Sequence, residues 1–173
     1  GATRYVLARG SIDEAKELWP FIKWCLEYTR RQLNDAGVPR SDRDELEGRF
    51  PAGEANLCTA TLYYDGLVSA AYLAPLVGEP KSVANEYKKQ AEALYKAINN
   101  YFSANVSGYE TYRYYDGNTV LRSWICMPLC FGFKERAEGT IEALYSPKLL
   151  TVDGLLTVEG DVTFWDRSTL YAL

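Results

Sequence analysis

Between Ala55 and Val77 the chain reads ANLCTATLYYDGLVSAAYLAPLV, with a single charge, Asp65, and apolar or small residues on every face of a helix. A helix that is apolar all round has to be covered on all sides. The chain must therefore build a second layer around this one, and the flanking segments carry the pattern for it. Upstream, Ser11 and Glu14 form a capping-box signature, and Leu18, Ile22, Cys25, Leu26, Thr29 and Leu33 recur at helical spacing, which predicts a helix over Ile12 to Asp35. Pro20 kinks or restarts it, and Gly37 followed by Pro39 ends it. Beyond Gly78 and Pro80, residues Val83, Tyr87, Leu94, Ile98 and Phe102 share one face of a third helix whose other face is Lys and Glu. An apolar inner helix flanked by amphipathic outer ones predicts an all-α fold of antiparallel helical hairpins.

The ends of the chain are less regular. TRYVLA reads as a short extended lead, and YETYRYYDGNTV, which alternates aromatic and polar residues around Asp116 and Gly117, reads as a hairpin or long loop. SWICMPLCFGF predicts a short apolar helix, KERAEGTIEALYS an outer helix, and LLTVDGLLTVEGD a hairpin or a pair of loop strands. TFWDRSTLYAL opens what reads as another buried helix, and the last residue falls inside its pattern. The expectation is a single partial domain over residues 1–173, cut from a longer one.

Composition removes several classes of function. With 19 basic and 23 acidic residues the net charge is −4, and no cluster of Lys or Arg forms the footprint that a phosphate backbone requires, so nucleic acid is not an expected partner. No apolar run approaches the ~20 residues needed to cross a bilayer, so no membrane partner is expected either. The chain has no histidine, which excludes Ser-His-Asp and Cys-His catalysis within it and leaves acid–base work to carboxylates, Lys or Tyr. Cys25, Cys58, Cys126 and Cys130 fit neither a disulfide framework nor a zinc ribbon and are expected as buried free thiols; Cys126 and Cys130 can share a helix face, but two thiols without further soft ligands make a weak metal site. Neither a metal nor another cofactor is expected.

These segments resemble the six-hairpin glycosidases, whose catalytic domain is a toroid of helical hairpins with inner and outer rings. The likeness rests on ELWPFIKWCLEYTRRQL as an outer helix, SDRDELEGRFPAG as the loop after it, NLCTATLYYDGLVSAAYLA as the inner helix, and TFWDRSTLYAL opening a later inner helix. In the processing glucosidase and trehalase branches of that clan, the general-acid loop has the form Ser-Gly-x-Asp-Asp/Phe shortly before an inner helix that begins near an Asn. Ser41, Asp44 and Glu45 fall on this pattern and Asn56 heads the helix, while Asp42 replaces the Gly and Leu46 to Gly53 resemble an insertion. The resemblance implies part of an α/α toroid from a glycoside hydrolase acting on an oligo- or polysaccharide. Export to the periplasm or the extracellular space is a further expectation from the family alone.

Breaking a glycosidic bond by inversion needs one carboxylic acid to protonate the leaving oxygen and a carboxylate on the opposite face to activate water, roughly 6.5–9.5 Å apart. Asp44, Glu45 and Glu47 are the candidate acids, but three carboxylates within four residues of one loop cannot occupy both faces. The base is therefore expected outside this chain, and the fragment alone is expected to be inactive. The same acids could instead cap the following helix from a solvated loop. Arg49 either pairs with one of them or hydrogen-bonds a sugar hydroxyl. Trp165, Asp166 and Arg167, where an extended segment turns into a helix, could present an indole face and a polar fork to a sugar, or fill the core and cap the helix. Asn56, Tyr64 and Trp124 complete the candidate contacts; Trp124, with Tyr112, Tyr114 and Tyr115, forms either an aromatic platform or hairpin packing. Tyr63, Tyr64 and Asp65 interrupt the inner helix, and Asp65 is expected as a buried, paired acid. A carbohydrate-binding or helical interaction module without chemistry is the alternative. Part of a ring would expose an apolar wall, so self-association through the inner-helix surface is expected.

Overall fold

The computed structural model describes residues 1–43 and 51–173, which form two compact units, Gly1–Pro39 with Leu62–Ala97 and Arg40–Thr61 with Ile98–Leu173. The described residues are mostly helical, with two small antiparallel strand pairs. Among the described residues, no helix is long and apolar enough to cross a membrane.

The first unit opens on α1 (Ala2–Arg9), where the sequence reading has an extended lead. Gly10, at φ 67°, closes α1 by donating its N–H to the Val6 carbonyl, and Thr3 and Val6 face inward. A partner far along the chain holds this short helix: Arg4 Nε donates to both carboxylate oxygens of Asp65 at 2.9 and 3.0 Å. Asp65 is thus the buried, paired acid that its place in an apolar helix requires. Helix α2 (Ile12–Arg30) starts at Ser11, whose Oγ accepts from Glu14 N at 3.2 Å, and runs through Pro20 unbroken. It stops before the predicted Asp35 because the Asn34 side chain accepts from the N–H groups of Ala36 and Val38 at 3.0 and 3.2 Å, turning the backbone out of the helix.

Helices α3 (Leu57–Leu76) and α4 (Lys81–Phe102) are joined by Val77–Pro80 and fold back as a hairpin, with the rings of Tyr64 and Tyr95 5.7 Å apart. On α2, Trp19, Ile22 and Leu26 are buried; Trp19 meets Tyr87 edge-on and donates its indole N–H to Glu79 at 2.7 Å, beside Lys23 Nζ at 2.8 Å. The expectation that α3 is covered on all sides fails along one strip, where Val68, Tyr72 and Leu76 are 44%, 65% and 43% exposed. The strip is an apolar surface open to solvent.

In the second unit, β1 (Ser103–Val106) pairs antiparallel with β2 (Tyr109–Tyr112) through a turn at Ser107 and Gly108, both at positive φ. The hairpin therefore lies upstream of the predicted Asp116–Gly117 turn. That second turn exists without flanking paired strands, because Asn118 folds back, its Oδ1 accepting from Tyr114 N at 3.0 Å. A 3₁₀ turn (Ser123–Cys126) leads into α5 (Met127–Cys130), followed by α6 (Ala137–Leu144) and the short pair β3 (Leu150–Thr151) and β4 (Gly154–Leu155). Thr111 and Thr140 share a buried hydroxyl bond of 2.8 Å that ties β2 to α6. The chain ends in α7 (Asp166–Ala172), which is not the buried helix expected, since only Ser168 is fully covered and Leu170 stays exposed.

Two predictions follow from this packing. A Cβ built at Gly139 would lie 2.2 Å from the Glu110 carbonyl oxygen, so Gly139→Ala should lower unfolding free energy by about 1–3 kcal/mol in urea titrations. Acid should also weaken the fold. The Arg30 and Arg31 guanidiniums hold Glu27 down at about 2, and Lys23 with the Trp19 indole holds Glu79 below its ordinary 4.5. A carboxylate depressed in the folded state stabilises above its unfolded value and loses that contribution as pH falls through the folded one. The urea midpoint should accordingly drop on acidification from 4.5 towards about 2. An unchanged midpoint would rule these pairs out as contributors.

Candidate functional site

The acidic connection leaves the described structure after Arg43 and returns at Pro51, and both stems are fastened in the second unit. Ser41 N donates to the Glu54 carbonyl at 2.7 Å, and Arg40 pairs with the Glu54 carboxylate at 2.8 Å. Asn56 caps α3 and holds the stem at once: its Oδ1 accepts from Thr59 N at 2.8 Å, and its Nδ2 donates to the Arg43 carbonyl at 3.1 Å. Arg122 fixes the other stem, donating from Nη1 to the Pro51 carbonyl at 2.9 Å. Gly53 is needed where it stands, because its φ is 64° and a Cβ there would come within 2.9 Å of Tyr115 Cβ.

Arg122 is nearly fully buried, and its guanidinium lies 5.0 Å from the Tyr114 ring centre and 6.0 Å from that of Tyr115. Two residues on, Trp124 meets Trp165 edge-on at 6.1 Å and Tyr171 at 5.9 Å. Arg167 in turn sits 5.7 Å from the Trp165 ring centre. A run of contacts thus leads from the Pro51 stem through Arg122 and Trp124 to the head of α7. Its inner members, Arg122 and Trp124, are buried, while Trp165 is half-buried and Arg167 exposed. The Trp124 indole N–H is itself buried and finds no acceptor among the described residues.

Of the predicted site residues, Asp44, Glu45, Glu47 and Arg49 lie outside the described residues. Asn56 is fully buried and serves as cap and stem anchor. Trp124 is 3% exposed, so it supports Trp165 from beneath. Trp165 is half-buried at the N-cap of α7, while Asp166 and Arg167 are exposed, with Asp166 Oδ1 accepting from Arg167 N at 2.7 Å. Tyr64 belongs to the first unit and lines a groove between α3 and α4. Arg122 escaped the sequence reading; its signal was a lone cation in an otherwise apolar and aromatic run, VLRSWICM.

The thiols depart from expectation. None of the four cysteines is in a disulfide, but only Cys58 and Cys126 are buried, whereas Cys25 is half-buried and Cys130 exposed. Interaction with Cys126, one helical turn away, lowers the Cys130 thiol below its ordinary value, while Cys130 and burial raise that of Cys126. Cys130 Sγ also lies 3.3 Å from the Tyr171 carbonyl of α7. No family model, curated protein or solved structure matches this chain.

Replacing Arg122 with Ala should cost roughly 1.5–3 kcal/mol of stability, the worth of a charge-assisted bond to a buried carbonyl, measured by urea unfolding. Alkylation of Cys130 followed by mass spectrometry should show a midpoint below that of an ordinary thiol, and one that moves upward in Cys126→Ala. A midpoint that stays put in that variant would remove Cys126 as the cause.

Proposed function

We propose that this chain carries the acid-bearing part of a glycoside hydrolase that acts on an oligo- or polysaccharide by inversion. The observation that supports this most is the shared anchor: the segment from Arg122 to Trp124 grips the stem of the acidic connection at one end and the Trp165 indole at the other. In this reading one of Asp44, Glu45 and Glu47 protonates the departing glycosidic oxygen. Trp165 offers its face to the C–H side of a sugar ring, and Arg167 offers guanidinium N–H groups to its hydroxyls. A carboxylate from a different segment activates water on the opposite face, because three acids on one short connection cannot flank a ring.

Binding tests this apart from turnover. A glycan array should return an oligosaccharide ligand, and Trp165→Ala should weaken its titrated affinity about tenfold, while Tyr72→Ala in the first unit leaves it unchanged. Absence of any glycan ligand, or an affinity indifferent to Trp165→Ala, would contradict the proposal. Sugar release by these residues alone would contradict the assignment of the base to another segment.

A further inference from the structure

The first unit leaves two apolar surfaces open, and they have opposite shapes. One is a ridge on α2, where Phe21, Trp24 and Tyr28 are 54%, 63% and 56% exposed. Their rings are nearly parallel, with angles of 16° and 21° between successive planes and centroids 6.4 and 5.6 Å apart. The other is a groove of about 910 Å³ between α3 and α4, walled by Val68, Tyr72, Pro75 and Leu76 on one side and by Ala91 and Tyr95 on the other.

The two match in spacing and in charge. Anchors at i, i+3 and i+7 are how a helix reads an apolar groove. At 1.5 Å per residue the ridge is about 10 Å long and the wall from Val68 to Leu76 about 12 Å. Asp13 and Glu17 extend the ridge line by two turns towards the start of α2, and Lys88, Glu92 and Lys96 stand on the groove rim. Asp13, Glu17, Lys88 and Lys96 are exposed, and none of these four has an ion-pair partner among the described residues. An acidic extension on the ridge therefore faces a rim of two lysines to one glutamate.

One copy cannot bring these surfaces together, because α2 turns Trp19, Ile22 and Leu26 into the unit's core and the ridge points away from it. We propose that the occupant of the groove is the α2 ridge of a second copy of this chain, with Asp13 and Glu17 set against Lys88 and Lys96. Each copy then offers its ridge to one neighbour and its groove to another. Such a contact is heterologous and builds open chains or rings, not an isologous dimer. The contact belongs to the weak class below about 1,200 Å², so assembly grows with concentration. It stands independently of the glycosidase reading.

Sedimentation velocity on the whole chain and two variants tests it. The unaltered protein should show a mass that climbs past the dimer as concentration rises. Trp24→Glu and Tyr72→Glu should each stay monomeric, since each destroys one half of the contact at an exposed position where far-UV circular dichroism should be unchanged. Mixed together they should form a heterodimer and stop, because each still carries the half the other lacks. If either loses helicity, Phe21→Ser and Val68→Ser take their places in the same scheme. A constant monomer mass up to about 1 mM would overturn the proposal. So would single variants that still assemble, or a mixture that fails to pair, which is the outcome of groove-to-groove or ridge-to-ridge association.

Discussion

The second unit is organised around one buried guanidinium. Arg122 has been taken almost entirely out of water, which is costly unless its N–H groups and its charge are satisfied. The Pro51 carbonyl accepts from Nη1, and the rings of Tyr114 and Tyr115 face the cation. Each partner is itself fixed: the Tyr114 carbonyl accepts from Leu57 N at 2.9 Å, and Asn56 and Tyr115 form an antiparallel bridge. The head of α3, the tyrosine turn and the returning stem are thereby locked to one residue. Its neighbour Trp124 extends the same rigid patch to Trp165. A connection rich in carboxylates thus has both ends held firmly, the arrangement that a group required to meet a ligand atom needs.

The first unit follows a different logic. Its inner helix is apolar almost throughout, so its register is set by what covers it: Gly66 lies where an added Cβ would sit 3.2 Å from Leu26, and the single charge, Asp65, is satisfied by Arg4. The strip through Val68, Tyr72 and Leu76 remains open because no described element of this unit lies over it, which makes an intermolecular contact the natural cover. Polar anchors such as Arg4 on Asp65 and Lys23 on Glu79 stand here beside a large aromatic area. Stability rests on burial, and the exposed ridge and groove are where that burial is unfinished.

Much of the helical layout was legible, and the reasons for the failures are specific. The starts of α2 and α4 follow from local signals such as the Ser11 cap, a helix inside KERAEGTIEALYS follows from its pattern although it starts only at Ala137, and the short β3–β4 pair follows from its Asp-Gly turn. Helix α1 leaves little local signal, because only Thr3 and Val6 face inward and its main tether, Asp65, lies 61 residues from Arg4. Ser107–Gly108 and Asp116–Gly117 both carry turn chemistry, and the choice between them falls to the Thr111–Thr140 bond, which is not local, and to the Asn118 side chain, which folds back within YETYRYYDGNTV itself. At the site, Asn56 and Trp165 stood out by type and position. The buried role of Arg122 did not, because a lone arginine in a sequence usually marks solvent.

The central claim is that the acidic connection and the Trp165 surface serve one glycan. A heteronuclear NMR titration of the chain with the oligosaccharide it binds reads both at once. The account predicts that the Trp165 indole N–H and the backbone amides of residues 44–50 shift along a single saturation curve. Perturbation confined to one of the two sets, or two curves with different midpoints, would contradict it.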